Sequence, residues 1–464
     1  MEGTGAVAPT LTEVEASERN GSALDQFWLW AGANIAVTNW ALGVLPIEVG
    51  LSLRDAIAMM VLGNLLGGVL FALCTLPGKN TGLTAMLLTR ISFGRKGALP
   101  ITVLQLINNV VWVGINSFFA VNVAVEVAAQ LGMAQTTLTT VVTVLVIFVV
   151  QVLVAVFGFR FIRNLDRFAV PLMALLMIAM TFFAFQKPIL WTHSSLAGME
   201  RFGMMAMVFA AAGIGWPLSW ATWAADYARH AAPALSNRKL FWSSYLGVVL
   251  PTIWLEIVGA VIAASMGTGM DPAAMVTRTV PGFALPALLL IFLGTVSTNM
   301  IDVESGGLSL QALGARLPHW GAAAISGGIG FGICLTAIAV NSIASVMDQW
   351  MLTLILWITP WTAIALLDLF VFHREQLRPH EAPQPRPGIR WAALGSWIVG
   401  FGFSLLFANT PLFTGPFSNW AAGADFSWAV GLFVTAALYL FWQRAAEQTK
   451  REPSPLTLES GEPV

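Results

Sequence analysis

Long apolar runs recur along this sequence and set what the chain can fold into. A helix of about 20 apolar residues crosses the hydrocarbon core of a bilayer, so each such run predicts a membrane-spanning helix. Only 10% of the 464 residues are charged, against roughly 25% in soluble domains. The sequence predicts an all-α integral membrane protein with about twelve transmembrane helices, near residues 27–47, 55–76, 99–128, 135–157, 168–186, 203–228, 241–266, 282–304, 321–341, 344–371, 390–409 and 421–443.

The basic residues predict how these helices are oriented. If both termini lie on one side, that side holds all of the 23 lysines and arginines except Arg54, Lys187, Arg201 and Arg278. Because lysine and arginine accumulate in cytoplasmic loops, both termini are expected in the cytoplasm, with the protein in the cell (inner) membrane.

Both ends of the chain are polar. Residues 1–24 lack the basic-then-apolar layout of a cleavable signal and predict a disordered cytoplasmic tail, and residues 444–464 predict a second tail. A net charge of −1 argues against a nucleic-acid partner. Cys74 and Cys334 both lie in apolar runs, so we expect packing residues rather than a disulfide or a metal site.

Two of the predicted helices carry signs of a break. In the first, Asn34, Thr38 and Asn39 lie at mid-membrane depth, and unwinding over 32–39 would free backbone carbonyls for a cation. The alternative is that these side chains bond neighbouring helices. In the sixth, glycines precede Pro217, which interrupts a helix.

The breaks occupy corresponding positions in two sets of five helices. Interrupted helices at matching positions point to an inverted-repeat transporter with its site at the membrane midplane. We therefore predict a five-plus-five inverted repeat, with a first repeat over 25–186, a second over 203–371 and two extra C-terminal helices within 390–443.

The third predicted helix places polar side chains on one face. Gln105, Asn109, Trp112 and Asn116 are spaced by three or four residues, which brings them together on a helix. Amides beside an aromatic ring suit a flat heterocycle with its own donors and acceptors. The alternative is a polar seam between helices, with Trp112 as packing.

The eighth predicted helix contains hydroxyls and two carboxyls, which are costly in hydrocarbon unless they face a polar cavity or a partner. Asp302 and Glu304 point about 200 degrees apart on a helix, so they should differ in environment. We expect Glu304 to face the cavity, because its spacing returns it to the face of Ser297. The alternative is that both carboxyls are solvated at a helix end.

Two features are expected at the cytoplasmic side. The segment 81–97 is amphipathic and basic at its end, which predicts a helix lying in the interface. Asp226 and Arg229, three residues apart, are expected to form a helix-end ion pair or a gate.

Short motifs in a fixed order resemble the nucleobase-cation symporter family, in its cytosine permease and purine-cytosine permease branch. They are found at residues 50–52, 63–67, 90–97, 112–114, 225–229, 297–299, 305–308, 360 and 368. The resemblance implies a LeuT-type fold and uptake of a nucleobase-like compound with a cation.

The resemblance also implies particular site residues. It places a cation at Gly32, Ala33, Ala36, Gly294, Ser297 and Thr298. It places the substrate ring near Trp112 and near Trp216 or Trp220, and the predicted substrate site is completed by Asn109, Asn116, Ser219 and Glu304. The sequence departs from that branch at Asn109, where the relatives have glutamine, and at Asp302 and Glu304.

Together these features predict a secondary active transporter rather than an enzyme. It would import a cytosine- or purine-like nucleobase, coupled to Na⁺ or H⁺, as a monomer in the lipid bilayer and without a cofactor. The alternatives are a transporter of another flat nitrogen heterocycle, such as a vitamin pyrimidine, hydantoin or allantoin, and a membrane solute sensor that does not transport.

Overall fold

The computed structural model describes residues 13–134, 136–157, 159–268, 272–280, 282–340, 344–372, 387–410 and 412–451. Within these ranges the chain is almost entirely helical, and its two short strands, Asn409–Thr410 and Phe413–Thr414, pair as an antiparallel hairpin. The first half of the chain forms α1 (Ala23–Asn34), α2 (Val37–Glu48), α3 (Leu53–Thr81), α4 (Ala85–Phe93), α5 (Leu99–Gln130), α6 (Thr137–Phe157) and α7 (Phe159–Ala184).

The second half follows with further helices and two irregular stretches. It forms α8 (Gly198–Val208), a π-helical segment (Phe209–Gly215), α9 (Trp216–Ser219), a 3-10 turn (Trp220–Thr222), α10 (Ala224–Ala228), α11 (Asn237–Met266), α12 (Pro272–Thr279), α13 (Ala284–Ala312), α14 (His319–Val340), α15 (Ala344–Leu367), a π turn (Asp368–Phe372), α16 (Trp391–Leu406), α17 (Pro416–Trp420) and α18 (Ser427–Arg451).

Eight helices of the described chain are long and apolar enough to cross a membrane. Two shorter apolar helices, Thr137–Gln151 and Trp391–Leu406, accompany them. The protein is a multi-pass membrane protein, while the total of about twelve crossings remains a prediction.

The helices pack as two neighbouring groups. In one, α11 lies against α1, α2 and α3, and α3 also packs on the π-helical segment. In the other, α5 packs along α13 and α14. The cavity described below lies between these groups, and α16 and α18 pack outside them against α15.

Glycine allows a close helix contact in the first group. A Cβ atom added at Gly63 of α3 would lie 2.5 Å from the Cα of Gly213 in the π-helical segment. Small residues bring membrane helices close enough for backbone contact, so α3 fixes the position of the irregular stretch before Trp216.

Residues 13–22 differ from the expected disorder of the N-terminal tail. The Val14 N–H donates to the Gly82 carbonyl at 3.1 Å, and the Gly21 N–H donates to the His230 carbonyl at 2.9 Å. These bonds hold this part of the tail against α3 and the end of α10. Residues 1–12, and residues 452–464 of the second predicted tail, lie outside the described residues.

The segment 81–97 contains the predicted amphipathic helix, as α4, but both of its faces are mostly buried. The Trp361 indole N–H donates to the Thr89 hydroxyl at 3.0 Å, and the Arg90 guanidinium donates to the Ala312 carbonyl. Because α13 and α15 cover it, α4 is packed beneath the helix ends rather than lying free in the interface. The side of the molecule that carries α4 and the start of α1 is called the α4 face below.

Candidate functional site

The first predicted crossing is broken between α1 and α2, within the residues 32–39 where the sequence predicts a break. Ala36 is extended, with φ −128° and ψ 156°, so the last carbonyls of α1 lose their helical partners. The Asn39 side-chain amide donates to the Asn34 carbonyl at 2.6 Å. The Thr298 hydroxyl of α13 lies 3.0 Å from the Ala33 carbonyl. The Asn39 side chain therefore serves the break itself, whereas the Thr38 hydroxyl has no hydrogen-bond partner among the described residues.

The second break lies in the stretch between α8 and α10. The π-helical segment Phe209–Gly215 leads into α9, where Pro217 occupies the first turn. Proline is tolerated there, because the first-turn N–H has no helical partner. The break therefore begins before Pro217, and the 3-10 turn Trp220–Thr222 extends it.

A polar side chain joins the two breaks. The Asn34 Oδ1 accepts the indole N–H of Trp216 at 2.7 Å and the hydroxyl of Thr252 in α11 at 3.0 Å. Asn34 is fully buried, and buried hydrogen bonds are costly to leave unmade. The orientation of the Trp216 ring is consequently tied to the end of α1.

A small cavity lies beside this junction, and in this conformation it has room for about one water molecule. The Trp112 and Trp216 rings meet edge to face in its wall, with centroids 5.4 Å apart and planes at 90°. The cavity is lined by Trp112, Asn116, Trp216, Ser219, Trp220, Trp223 and Thr298.

Several buried polar atoms of the lining have no hydrogen-bond partner among the described residues. They are the Asn116 Oδ1, the Trp220 Nε1 and the Trp223 Nε1. The first is an acceptor and the indole nitrogens are donors. Since buried polar groups normally have partners, these atoms are available to a bound solute.

The side chains predicted to share one face of α5 have different surroundings, because some line the cavity and others lie in the contact with α13. Trp112 and Asn116 line the cavity, whereas the Asn109 amide donates to the Ser309 hydroxyl of α13 at 3.3 Å. Gln105 is fully buried. Asn109 thus belongs to a polar seam with α13, and of the predicted substrate residues on α5 only Trp112 and Asn116 line this cavity.

Oxygen atoms converge where α13 meets the first break. The Thr298 hydroxyl lies 3.0 Å from the Ala33 carbonyl and 3.0 Å from the Gly294 carbonyl. A Cβ atom at position 294 would lie 2.4 Å from the Ile35 carbonyl, so glycine is needed for this approach. Ser297 is fully buried beside Thr298. Hard cations take oxygen ligands of this kind.

The remaining predicted cation residues flank this oxygen cluster. Gly32 is buried near the end of α1, and Ala36 belongs to the extended link between α1 and α2.

The two carboxyls of α13 occupy different environments, but not as the sequence suggests. Asp302 accepts the Asn116 amide N–H at 3.0 Å and so lies directly behind the cavity. Glu304 instead lies 3.5 Å from the Tyr227 hydroxyl of α10. Glu304 is not among the residues that line this cavity, because the helical spacing fixes the angle between the carboxyls but not which neighbouring helix each one meets.

The alternative of a solvated helix end is wrong. Asp302 is 1% exposed and Glu304 is 6% exposed, and α13 continues to Ala312.

Asp226 ties several elements together at the α4 face. Its Oδ1 accepts the Ala85 N–H at the start of α4, and its Oδ2 accepts the Ser305 hydroxyl of α13, both at 2.8 Å. The Arg229 side chain donates from Nε to the Asp226 carbonyl at 3.1 Å. Asp226 therefore bridges α4, α10 and α13.

A further ion pair lies at the start of α1. The Arg167 guanidinium donates to Asp25, which also accepts the Ser22 N–H at 2.9 Å in a capping box. Burial works to raise the pKa of Asp25, but the bonds from Ser22 and Arg167 outweigh it, and the pKa lies below its usual value. The pair links α1 to α7.

Comparison with known proteins places this arrangement in a family. The sequence matches the family of permeases for cytosine/purines, uracil, thiamine and allantoin over residues 13–431. The chain belongs to this family. Its members are transporters, so the protein is a membrane permease with the LeuT-type fold that the resemblance implied.

Relatives and solved structures agree with this assignment along the whole permease. YxlA of Bacillus subtilis is 25% identical over 441 residues, which cover 93% of this chain and 94% of that protein. The purine-cytosine permease fcyB of Emericella nidulans is 26% identical over 437 residues, covering 89% and 83% of the two chains. The fold is similar to that of Mhp1, a nucleobase-cation-symport-1 family transporter in a closed conformation with bromovinylhydantoin bound, with a TM-score of 0.76, 17% identity and coverage of 95% and 96%.

Two notable residues of this permease were not predicted from the sequence, Trp223 and Glu256. Trp223 lines the cavity three residues after Trp220, a spacing that places both rings on one helical face. Glu256 is a carboxyl inside the apolar run of α11 and is fully buried. A carboxyl inside a transmembrane run was the available signal for it.

Proposed function

We propose that the protein is a secondary active transporter that imports a cytosine- or purine-like nucleobase together with a cation. The observation that carries this proposal is the cavity that Trp112 and Trp216 line. Its aromatic walls suit a flat ring, and the partnerless atoms of Asn116, Trp220 and Trp223 supply one acceptor and two donors for the ring's edge.

Asp302 determines which atom of the Asn116 amide is left for the solute in this proposal. Because Asp302 takes the amide N–H of Asn116, the carbonyl oxygen of Asn116 remains for the solute. An acceptor at this position favours a ring that presents an N–H or an amino group. Cytosine and the aminopurines have such an edge.

The coupling cation is proposed to be Na⁺ at the oxygens of Ala33, Gly294 and Thr298. Gly32, Ala36 and Ser297 complete the surrounding shell in this proposal. Carbonyls released by a helix break and an adjacent hydroxyl suit a hard cation. The site lies next to Asn34, which holds Trp216, so ion and substrate would share one break.

Transport would proceed by alternating access. The group containing α1, α2, α3 and α11 would rock against α5, α13 and α14 around the cavity. The distribution of lysine and arginine supports cytoplasmic termini, which makes the α4 face the cytoplasmic side of the inner membrane. A monomer is proposed as the working unit.

Counterflow in proteoliposomes tests this function. Vesicles loaded with unlabelled cytosine should take up labelled cytosine, and adenine and hypoxanthine should compete. Competition by hydantoin or a vitamin pyrimidine alone would replace the nucleobase with another flat heterocycle. Binding without any exchange would indicate a sensor and overturn the transport proposal.

A further inference from the structure

Glu256 is a carboxyl in the apolar interior of the first helix group. It lies in α11 and is fully buried, and the backbone of α2 approaches it so closely that a Cβ atom at Gly43 would lie 2.1 Å from the Glu256 carbonyl oxygen. The cavity and the proposed cation site do not include it. An ionisable group at this depth needs a partner or a function.

Its hydrogen bonding is incomplete in a specific way. The Asn64 amide of α3 donates to the Glu256 Oε2 at 2.7 Å. The Glu256 Oε1 and the Asn64 Oδ1 both lack a partner among the described residues. The unsatisfied atoms of this pair are thus both acceptors, and what the pair lacks is a hydrogen.

No described cation compensates a charge here. The described charged side chains on the helices packed around α11 lie near helix ends, as Asp25 in α1, Glu48 in α2 and Arg54, Asp55 and Lys79 in α3 do, or, as Arg167 of α7, form an ion pair with Asp25. Tyr245 of α11 donates elsewhere, to the Leu65 carbonyl at 3.3 Å. Cys74 lies beyond Asn64 along α3 towards the α4 face. An unpaired carboxylate in such a place costs several kcal/mol.

We propose that Glu256 is a proton-binding site, occupied in this conformation by one proton that it shares with Asn64. As a neutral acid, Glu256 donates from Oε1 to the Asn64 Oδ1 while its Oε2 accepts the Asn64 N–H. The pair then closes through two hydrogen bonds, and both unsatisfied atoms gain a partner. This site is distinct from the oxygens proposed for Na⁺.

Asn64 connects this site to the second helix break. Its amide nitrogen also lies 3.2 Å from the Ala212 carbonyl in the π-helical segment and 2.9 Å from the Met60 carbonyl. Two amide hydrogens thus face three acceptors. Any movement of the π-helical segment changes how many amide hydrogens of Asn64 are left to donate to Glu256.

The other end of the connection reaches the cavity. The π-helical segment runs directly into Trp216, which lines the cavity. On α11, one turn before Glu256, Thr252 shares the Asn34 oxygen with Trp216. When the segment moves and water reaches Glu256, the acid passes its proton to water and becomes a carboxylate, and it takes a proton from water on the return. Proton exchange thereby follows the substrate-linked movement.

The proton-binding site does not depend on the proposed transport function, whereas its role in coupling rests on that function. The test therefore has two parts. The first is infrared spectroscopy of the purified protein at neutral pH, without substrate. We expect a protonated-carboxyl band that shifts in D₂O and disappears in Glu256→Gln, whose amide reproduces the hydrogen bonds of the neutral acid. Glu48→Gln, at an exposed helix end, is the matched control and should leave that band unchanged. Asp302 is also buried and pairs with an amide, so the band of Glu256 is the component that Glu256→Gln removes. A spectrum from which Glu256→Gln removes no component overturns the proposal.

The second part compares exchange with gradient-driven uptake in proteoliposomes. Glu256→Gln should retain cytosine counterflow but lose the stimulation of uptake by an inside-alkaline pH gradient, whereas Glu48→Gln retains both. Stimulation that persists in Glu256→Gln, or is absent from the wild type, overturns the coupling role. If the wild type shows no counterflow, the transport proposal fails, and the infrared band alone decides whether Glu256 holds a proton.

A second variant covers the case in which Glu256→Gln does not fold. Asn64→Ala keeps the acid but removes its partner, so the Glu256 band should shift in frequency because its hydrogen bond is lost. An unshifted band would separate Glu256 from Asn64 and overturn the pairing.

Discussion

Replacing Trp112 by alanine removes one aromatic wall of the cavity. Trp112 is 4% exposed and meets Trp216 edge to face at 5.4 Å. Stacking of a base on an aromatic side chain is worth about 1–3 kcal/mol by alanine substitution. That range corresponds to a roughly 5- to 150-fold higher dissociation constant, so we expect the affinity to fall at least about fivefold.

The same substitution also leaves a hole in the protein. A buried tryptophan truncated to alanine costs about 3–5 kcal/mol of stability, so a loss of binding needs a control for folding. Trp397→Ala offers one, because Trp397 is 8% exposed and lies in α16, away from the cavity. It should lower the melting temperature and leave the affinity of the folded protein unchanged. Trp112→Phe keeps a ring face and should recover most of the affinity.

Isothermal titration calorimetry with cytosine or adenine measures the effect, and a thermal melt of each variant without ligand measures folding. The stacking argument predicts that affinity falls in the order wild type, Trp112→Phe, Trp112→Ala. If Trp112→Ala binds as tightly as the wild type, Trp112 is a packing residue and the cavity is not the substrate site.

Further predictions concern the ion, the carboxyls and pH. Thr298→Ala should raise the sodium concentration for half-maximal uptake about tenfold, as expected for a lost bond to a charged group, and wild-type uptake that ignores sodium would refute the site. Asp302→Ala frees the Asn116 amide and should weaken substrate binding by roughly 2- to 12-fold, whereas Glu304→Ala should not; calorimetry giving equal effects would contradict the geometry. The pKa of Asp25 is lowered in the folded protein, so its stabilisation is present above the unfolded value, about 4, and disappears as pH falls through the folded pKa. The difference in melting temperature between wild type and Asp25→Asn should therefore shrink below about pH 4, and a constant difference would show that another effect dominates.

Local signals in the sequence were enough to predict where the helices break. Polar side chains in the first crossing and glycines before Pro217 conflict with a continuous helix, whatever surrounds them. The structure has its break between Asn34 and Val37, and its π-helical segment immediately before Trp216. The family resemblance added the fold, because motif order along the chain reflects topology.

The partners of individual side chains were not predictable in the same way. Helical spacing gives directions around one axis, but the rotation of α13 against α5 and α10 depends on packing across the whole interface. That rotation places Asp302 beside Asn116 and Glu304 beside Tyr227. The partner of Glu256 is Asn64, a residue 192 positions away, and only the fold brings these two together.

Asn34 is the residue through which ion and substrate should influence each other. Its neighbour Ala33 offers a carbonyl to the proposed cation site, and its own side chain holds the Trp216 indole. A cation that orders the end of α1 also orders Asn34, so Trp216 needs less ordering when the substrate binds. Such coupling is reciprocal and typically amounts to about 1–3 kcal/mol, or a 5- to 150-fold change in affinity. In Asn34→Ala the ratio of substrate dissociation constants without and with saturating sodium should fall towards one, while each ligand still binds alone. Calorimetric titrations that give the wild-type ratio in this variant would show that the coupling runs through other residues.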